Sequence, residues 1–380
     1  MENVEGGSQK TKSGLWNAKG GPRVRNLCLV TGNALLFRFS TGRHLMGFIS
    51  REAPVSRELS FLYRQALESV TESLLDPDRQ CVFLLGAGAS IDESAPADLP
   101  TGQELSQKMA KEIGLEWHRA ISLSTVAFYY EFLRGRDRLV RLLQREIGAR
   151  NISPSQTIKD LISVIQILER KQQRTVVITT NYDQHFETAY SAKVGQEAEV
   201  LIYQGARNPH ERGIRLNRDA RGELRTSPTI WLPRKQTTLF KMHGCISQAE
   251  DQGLVITEED YINFLTNALG PMDDYKKIPA AIMSRVAEGT IVFLGYSLED
   301  WNFRTIFKAT VEAHTYPGKS FAVQFWDLGQ REDDAQITRR EATTAFWGRK
   351  GVDILNTKAD QFTHALLASM KSRDETEVAR

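Results

Sequence analysis

The sequence predicts an α/β fold: a mostly parallel sheet with helices on both faces and a helical lobe inserted between its first two strands. Three observations predict it. Short apolar runs of strand length stand at Cys81–Leu85, Thr175–Thr179 and Thr290–Leu294, and unalternated runs of that length suit strands buried on both faces. Segments with helical spacing alternate with these runs, which is the pattern of a parallel sheet. Between the first two runs, about residues 103–170 read as helical with only brief interruption, hence the lobe.

Taken in order, residues 1–56 are rich in Gly, Arg and Ser without a steady period, and no element is assigned to this N-terminal extension. The main domain is expected over residues 57–380. Leu59, Leu62, Tyr63, Ala66, Leu67, Val70 and Leu74 share one helical face, and Asp76-Pro77-Asp78 end that helix. Cys81–Leu85 comes next as a buried strand and runs directly into Gly86-Ala87-Gly88-Ala89-Ser90. After Pro96 and Pro100, the lobe carries amphipathic sets such as Leu105, Met109, Ile113 and Leu139, Leu142, Leu143, Ile147, with a break at Pro154. Thr175–Thr179 is the second strand, ending in Thr180-Asn181-Tyr182-Asp183. A polar region with a hairpin over Arg212–Arg225 precedes the strand Thr238–Met242, which leads into His243-Gly244. Helices over Glu258–Leu269 and Pro279–Val286 precede the strand Thr290–Leu294 and its turn Gly295-Tyr296-Ser297. A helix from Asp300, strands at Ser320–Phe325 and Val352–Leu355, and a helix over Phe362–Met370 complete the chain.

The bulk numbers narrow the function classes. With 380 residues and 41% hydrophobic content, the chain can bury one large core plus an appended lobe. A net charge of +2 gives no global field for a nucleic acid or a membrane surface. The three cysteines, Cys28, Cys81 and Cys245, are too far apart for a C-x-x-C pair, so neither a disulfide framework nor a structural zinc site is indicated. No apolar run approaches the roughly 20 residues of a membrane helix, and a cytoplasmic location is the simplest expectation.

Four loops, each after a buried strand, carry candidate chemistry, because ligands of open α/β sheets bind at that edge. In the first, Gly86 and Gly88 let the backbone approach a pyrophosphate. Ile91 stands where a dinucleotide fingerprint wants a third glycine, and a plain strand-to-helix turn accounts for the loop about as well. In the second, Asn181 and Asp183 are poor core residues because their polar atoms demand partners. Asp183 also suits a helix cap, while Asn181 suits contact with a carboxamide or a water. In the third, His243 at a strand end has an ordinary pKa of about 6.5, fit for a general base. The other six histidines (His44, His118, His185, His210, His314 and His364) have no comparable position. In the fourth, Gly295 and Ser297 suit a phosphate or ribose contact, and Ser297 or Asp300 equally an ordinary cap.

The order Gly-Ala-Gly-x-Ser, Thr-x-Asn-x-Asp, His-Gly, Gly-x-Ser, over about residues 80–310, resembles the sirtuin (silent information regulator) family. The resemblance implies a Rossmann-like domain that binds NAD+ as its substrate. It assigns Gly86, Ala87, Gly88 and Ser90 to the pyrophosphate, and Thr180, Asn181 and Asp183 to the nicotinamide and its ribose. His243 becomes the catalytic residue at the ribose hydroxyls, and Gly295 and Ser297 a further NAD+ contact. The chemistry is coherent: loss of neutral nicotinamide leaves an oxocarbenium-like ribose, and a positioned Asn and His can guide the attacking water.

Two departures refine this expectation. Deacylating sirtuins carry a four-cysteine zinc module after the His-Gly motif, whereas this chain has only Cys245 there, so no zinc is expected. Their Asp-Phe-Arg segment is replaced by Asp98-Leu99-Pro100-Thr101. The chain instead resembles the sirtuin-like NAD hydrolases of bacterial anti-phage defence, also through Leu254–Tyr261 and Gly295–Asp300. That implies an NAD+ glycohydrolase with catalytic Asn181, His243 and Asp183. It also implies gating by homo-oligomer assembly or by a HerA-type hexameric ATPase partner, since the chain has no P-loop sensor of its own. The alternatives are a non-catalytic NAD+ or ADP-ribose binding module and, less favoured, a deacylase or ADP-ribosyl transferase. Direct nucleic-acid binding is not indicated, because Arg207, Arg212, Arg215, Arg218, Arg221 and Arg225 fit a solvated hairpin.

Overall fold

A computed structural model describes residues 28–31, 34–37, 54–91, 99–118, 121–148, 153–204, 213–217, 223–225, 232, 237–248, 253–269, 278–298, 304–305, 307–308, 319–326 and 334–378. Residues 1–58 and 59–380 form two compact units. In the first, β1 (Cys28–Thr31) pairs antiparallel with β2 (Ala34–Phe37), in a region where the sequence suggested no element.

The second unit is a sheet clothed by helices. After α1 (Pro54–Leu75) and β3 (Cys81–Leu85) come α2 (Gly102–Ile113), α3 (Leu123–Arg134) and α4 (Arg136–Leu143), the last running into a π-turn at Gln144–Gly148. The chain continues through α5 (Gln156–Arg170), β4 (Thr175–Thr179), α6 (His185–Val194) and β5 (Glu199–Gln204). Short strands β6 (Gly213–Asn217) and β7 (Glu223–Arg225) precede β8 (Thr238–Lys241), α7 (Glu258–Leu269) and α8 (Ala280–Glu288). It closes with β9 (Thr290–Leu294), β10 (Ser320–Val323), α9 (Asp334–Arg349), β11 (Val352–Leu355) and α10 (Ala359–Val378). No described helix is long and apolar enough to cross a membrane.

The strand order is β11-β10-β9-β3-β4-β8-β5-β6-β7. Every pairing from β11 to β5 is parallel, and the two pairings at one edge, β5–β6 and the β6–β7 hairpin, are antiparallel. The fold is therefore the expected Rossmann-like α/β sheet. The hairpin carries the backbone of Arg215 and Arg225, whereas Arg207, Arg212, Arg218 and Arg221 lie outside the described residues, as does Asp300.

Alternation along each central strand divides the core. Cys81, Phe83 and Leu85 face a layer built by α1, α5, α6 and α10, including Leu161, Ile165, Tyr190 and Phe362. Val82 and Leu84 face the opposite layer, with Phe264 from α7, Ile282 from α8 and Trp347 from α9. Each fully buried side chain of this size stabilises by about 1.5–3 kcal/mol. A third core joins α2, α3 and α4 through Leu105, Met109, Val126, Leu139 and Leu143, closed by Ile246, Leu254 and Ile256. The helical stretch after the first glycines thus divides: α2–α4 share their own core, while α5 covers the sheet as an ordinary crossover helix.

Local signals set these helix starts. Thr101 and Glu104 form a capping box, the Thr101 hydroxyl accepting from the Glu104 N–H at 3.2 Å and the Glu104 carboxylate accepting from the Thr101 N–H at 2.7 Å. Ser122 and Ser155 cap α3 and α5, each such cap contributing about 1 kcal/mol.

Candidate active site

The register of the four central strands brings the four loops together. Leu85 is paired with Thr179 on one side and Leu294 on the other, and Thr179 with Lys241. The carboxyl ends of these strands are therefore level, and the loops that leave them converge at a single edge. There a cavity of about 520 Å³ opens between the sheet and the helical lobe, within the range of about 300–1,000 Å³ usual for small-molecule sites.

Of the sequence-predicted residues, Ala87, Ser90, Thr180, Asn181, Asp183, His243, Gly295 and Ser297 line this cavity. Gly86 and Gly88 do not. They lie beneath it, where the first loop packs backbone to backbone against the fourth. Gly86 N–H donates to the Leu294 carbonyl at 2.8 Å and Gly88 N–H to the Gly295 carbonyl at 3.0 Å. Gly295 has φ +73°, and a Cβ there would meet the Ala89 nitrogen at 2.1 Å, so only glycine fits. These glycines serve loop-to-loop contact first. The amides of Ala89 and Ser90 are also bonded within the loop. Ala87 N–H is the loop amide with no partner among the described residues, the one through which the backbone could meet an anion. The turn opens no long helix either, since a short 3-10 segment at Ala87–Ala89 stands where the sequence suggested a helix start.

Asn181 is 9% exposed and acts as a tie between loops. Its Nδ2 donates to the Gly86 carbonyl and to the Ser90 hydroxyl, both at 2.9 Å. Gly86 O can only accept, so the amide nitrogen must face it, and Oδ1 is the atom left for a ligand. The Asp183 carboxylate accepts from His185 N–H at 2.9 Å, the capping role open to it from sequence. Its carbonyl accepts from the Lys241 ammonium, which also donates to Glu187 at 3.0 Å. Burial alone would lower the Lys241 pKa, but Glu187, Cys245 and Asp183 hold it above the ordinary lysine range. Thr180 donates to the Tyr296 hydroxyl at 3.3 Å.

His243 is 2% exposed, and its Nε2 has no partner among the described residues. Tyr261 and Phe264 approach its ring edge-on, with centroids at 5.2 and 5.5 Å. Burial lowers its pKa to about 3, against the opposing pull of the Asp260 carboxylate. The imidazole is therefore neutral at physiological pH. The following Gly244 has φ +87°, and a Cβ there would meet the Gly253 carbonyl oxygen at 2.6 Å.

Sequence reasoning missed the far wall. The first turns of α2 (Gly102, Gln103) and α3 (Ser122 to Ser124) line the cavity, as do Tyr182, Tyr261 and Tyr296. Helix N-termini favour anions, and the capping box at Thr101 was the available signal. This wall is braced from the lobe. Asp260, fully buried, accepts from the N–H groups of Ile256 at 3.1 Å and Thr257 at 3.0 Å. Arg136 of α4 donates to Asp260 at 2.8 Å and to the Leu254 carbonyl at 2.6 Å. Val255 N–H in turn donates to the His243 carbonyl at 3.1 Å. Among the described residues no group of His, Cys, Asp and Glu could hold a metal ion.

Comparison with known proteins places a SIR2-like domain on residues 175–355, from β4 through β11. A comparison with curated proteins gives no match. Among solved structures the chain is similar to one described as a Sir2 homologue mutant in complex with ADP-ribose, at 14% identity and a TM-score of 0.39, spanning 81% of this chain and 98% of that one.

Proposed function

We propose that this sirtuin-like chain binds NAD+ in the cleft and hydrolyses its nicotinamide–ribose bond, giving nicotinamide and ADP-ribose. The observation that carries this is the buried, neutral His243, whose Nε2 lacks a partner among the described residues and which lines the same cavity as Asn181. A buried nitrogen left unmatched is costly, and a ligand hydroxyl or a water would satisfy it. In the reaction the C1′–N bond breaks with its electron pair leaving on nicotinamide. Water forms the new C1′–O bond and one of its protons passes to solvent. His243 can take the hydrogen bond from that water or from a ribose hydroxyl, and Asn181 Oδ1 can accept another. Ala87 N–H and the first turns of α2 and α3 suit the pyrophosphate.

The test is nicotinamide release from NAD+ by the purified chain beside His243→Ala and Asn181→Ala. With its pKa lowered to about 3, His243 is not the near-neutral general base the sequence suggested but a hydrogen-bond acceptor. Activity in the parent and a loss of about ten-fold or more in His243→Ala, as for a lost hydrogen bond of about 1.5 kcal/mol, are expected. One observation favours a second reading, a non-catalytic NAD+ or ADP-ribose binding module: both Asn181 amide hydrogens are engaged by the protein. Tight NAD+ binding without turnover would select it. The resemblance to anti-phage NAD hydrolases extends the proposal to NAD+ depletion in infected cells, restrained by self-assembly or a HerA-type ATPase. A purified chain that is a fully active monomer would remove that restraint.

A further inference from the structure

The helical lobe holds a second cavity, of about 560 Å³, bounded by Arg134, Arg138, Arg141, Arg145, Glu112 and Tyr130. The last three arginines recur at helical spacing along α4 and the π-turn, so they share one face. Glu112 is already engaged: Tyr130 donates to one carboxylate oxygen at 2.6 Å and Arg145 to the other at 3.4 Å. Arg134 donates to the Glu112 carbonyl at 2.8 Å, and Arg145 also pairs with Glu146 at 3.1 Å. Arg138 and Arg141 have no hydrogen-bond or ion-pair partner among the described residues, and the neighbouring Asp137 pairs with neither. Four guanidinium groups thus face one satisfied carboxylate across a concave surface. All are arginines, whose planar forks match phosphate oxygens in pairs. The site opens to solvent, and its volume lies in the range of about 300–1,000 Å³ usual for small-molecule sites.

The same helix is tied to the segment behind the cleft. α4 opens with Arg136, which holds Asp260 and the Leu254 carbonyl, next in the chain to Tyr261 and close to Ile256 of the cleft lining. Two residues after Arg145, Ile147 of the π-turn lines the cleft itself. We propose that the arginine cavity is a regulatory site for a phosphate-bearing small molecule of the nucleoside di- or triphosphate class, acting on the cleft through α4. Binding there is independent of the NAD+ hydrolase reading, and only the regulatory effect rests on that reading.

The experiment is calorimetric titration of the full chain with inorganic pyrophosphate and with ATP, both without divalent metal. It is repeated on Arg138→Glu/Arg141→Glu, on the exposed control pair Lys159→Glu/Lys193→Glu, and on His243→Ala, with thermal unfolding to confirm that each is folded. Affinity at least ten-fold lower in the arginine pair alone supports the site. Equal affinity in all variants, loss in His243→Ala alone, or no binding by the parent overturns it. Tighter binding of a short single-stranded oligonucleotide than of ATP, with a steep salt dependence, overturns the small-molecule assignment. For regulation, saturating pyrophosphate should change the parent's nicotinamide release at least three-fold and leave the arginine pair unchanged. Binding with no change in release overturns the coupling. Binding by a chain that never releases nicotinamide leaves the site standing and defeats the hydrolase reading instead.

Discussion

His243 shows how one buried side chain ties stability to pH. Its pKa is about 3 in the folded chain and about 6.5 when unfolded, so between these values the unfolded chain binds more protons. Its contribution is therefore present above pH 6.5 and is lost as pH falls toward 3. His243→Gln should flatten that acid loss, measured as denaturation midpoints from pH 7 to 4 beside the parent; identical slopes would contradict a depressed pKa. Asn181 makes a different prediction. Asn181→Asp places a carboxylate oxygen against the Gly86 carbonyl, where only a donor fits. Asn181→Asp should cost more than Asn181→Ala, which should itself cost about 1–3 kcal/mol for the unmatched partners, read from urea unfolding. The sequence made both residues conspicuous because polar groups at the end of apolar strands need a reason. It could not reveal that Asn181 holds the first loop, because that bond joins positions far apart in the chain.

Among the elements, α4 links the lobe to the cleft wall. Arg136→Leu removes the cation facing the fully buried Asp260 carboxylate, which the N–H groups of Ile256 and Thr257 cannot replace. A loss of about 3–5 kcal/mol is expected, and Asp260→Asn/Arg136→Leu should recover part of it in a double-mutant cycle; additive losses would deny the coupling. The central strands were legible because β3, β4, β8 and β9 are short, apolar and end in turn residues. β5 was not assigned, although Val200–Tyr203 is apolar and rich in strand formers, because it lies inside a polar region. The helical stretch looked uniform in sequence because periodicity shows that a helix has an apolar face, not which core that face joins. Only packing separates α5, with Leu161 and Ile165 on the sheet, from α2–α4, with their own core. The arginines of α4 escaped notice for the same reason: at sequence level they are an ordinary charged helix face.

For the molecule as a whole, the strand order joins distant parts of the chain. β3 lies between β4 and β9, so one of its two neighbours comes more than 200 residues after it. Chains emerge from the ribosome at roughly 5–20 residues per second, so β3 waits many seconds for that neighbour. During that interval its free edge is open to wrong pairing. The interlock of Gly86 and Gly88 with Gly295 forms only afterwards, and it positions Ala87, Ser90 and Asn181 together. A nascent chain, or a fragment ending before residue 290, thus has the first loop but no floor beneath it. The cleft is therefore complete only once synthesis has passed the fourth loop, and a fragment that stops short of it lacks the bonds that hold the first loop in place.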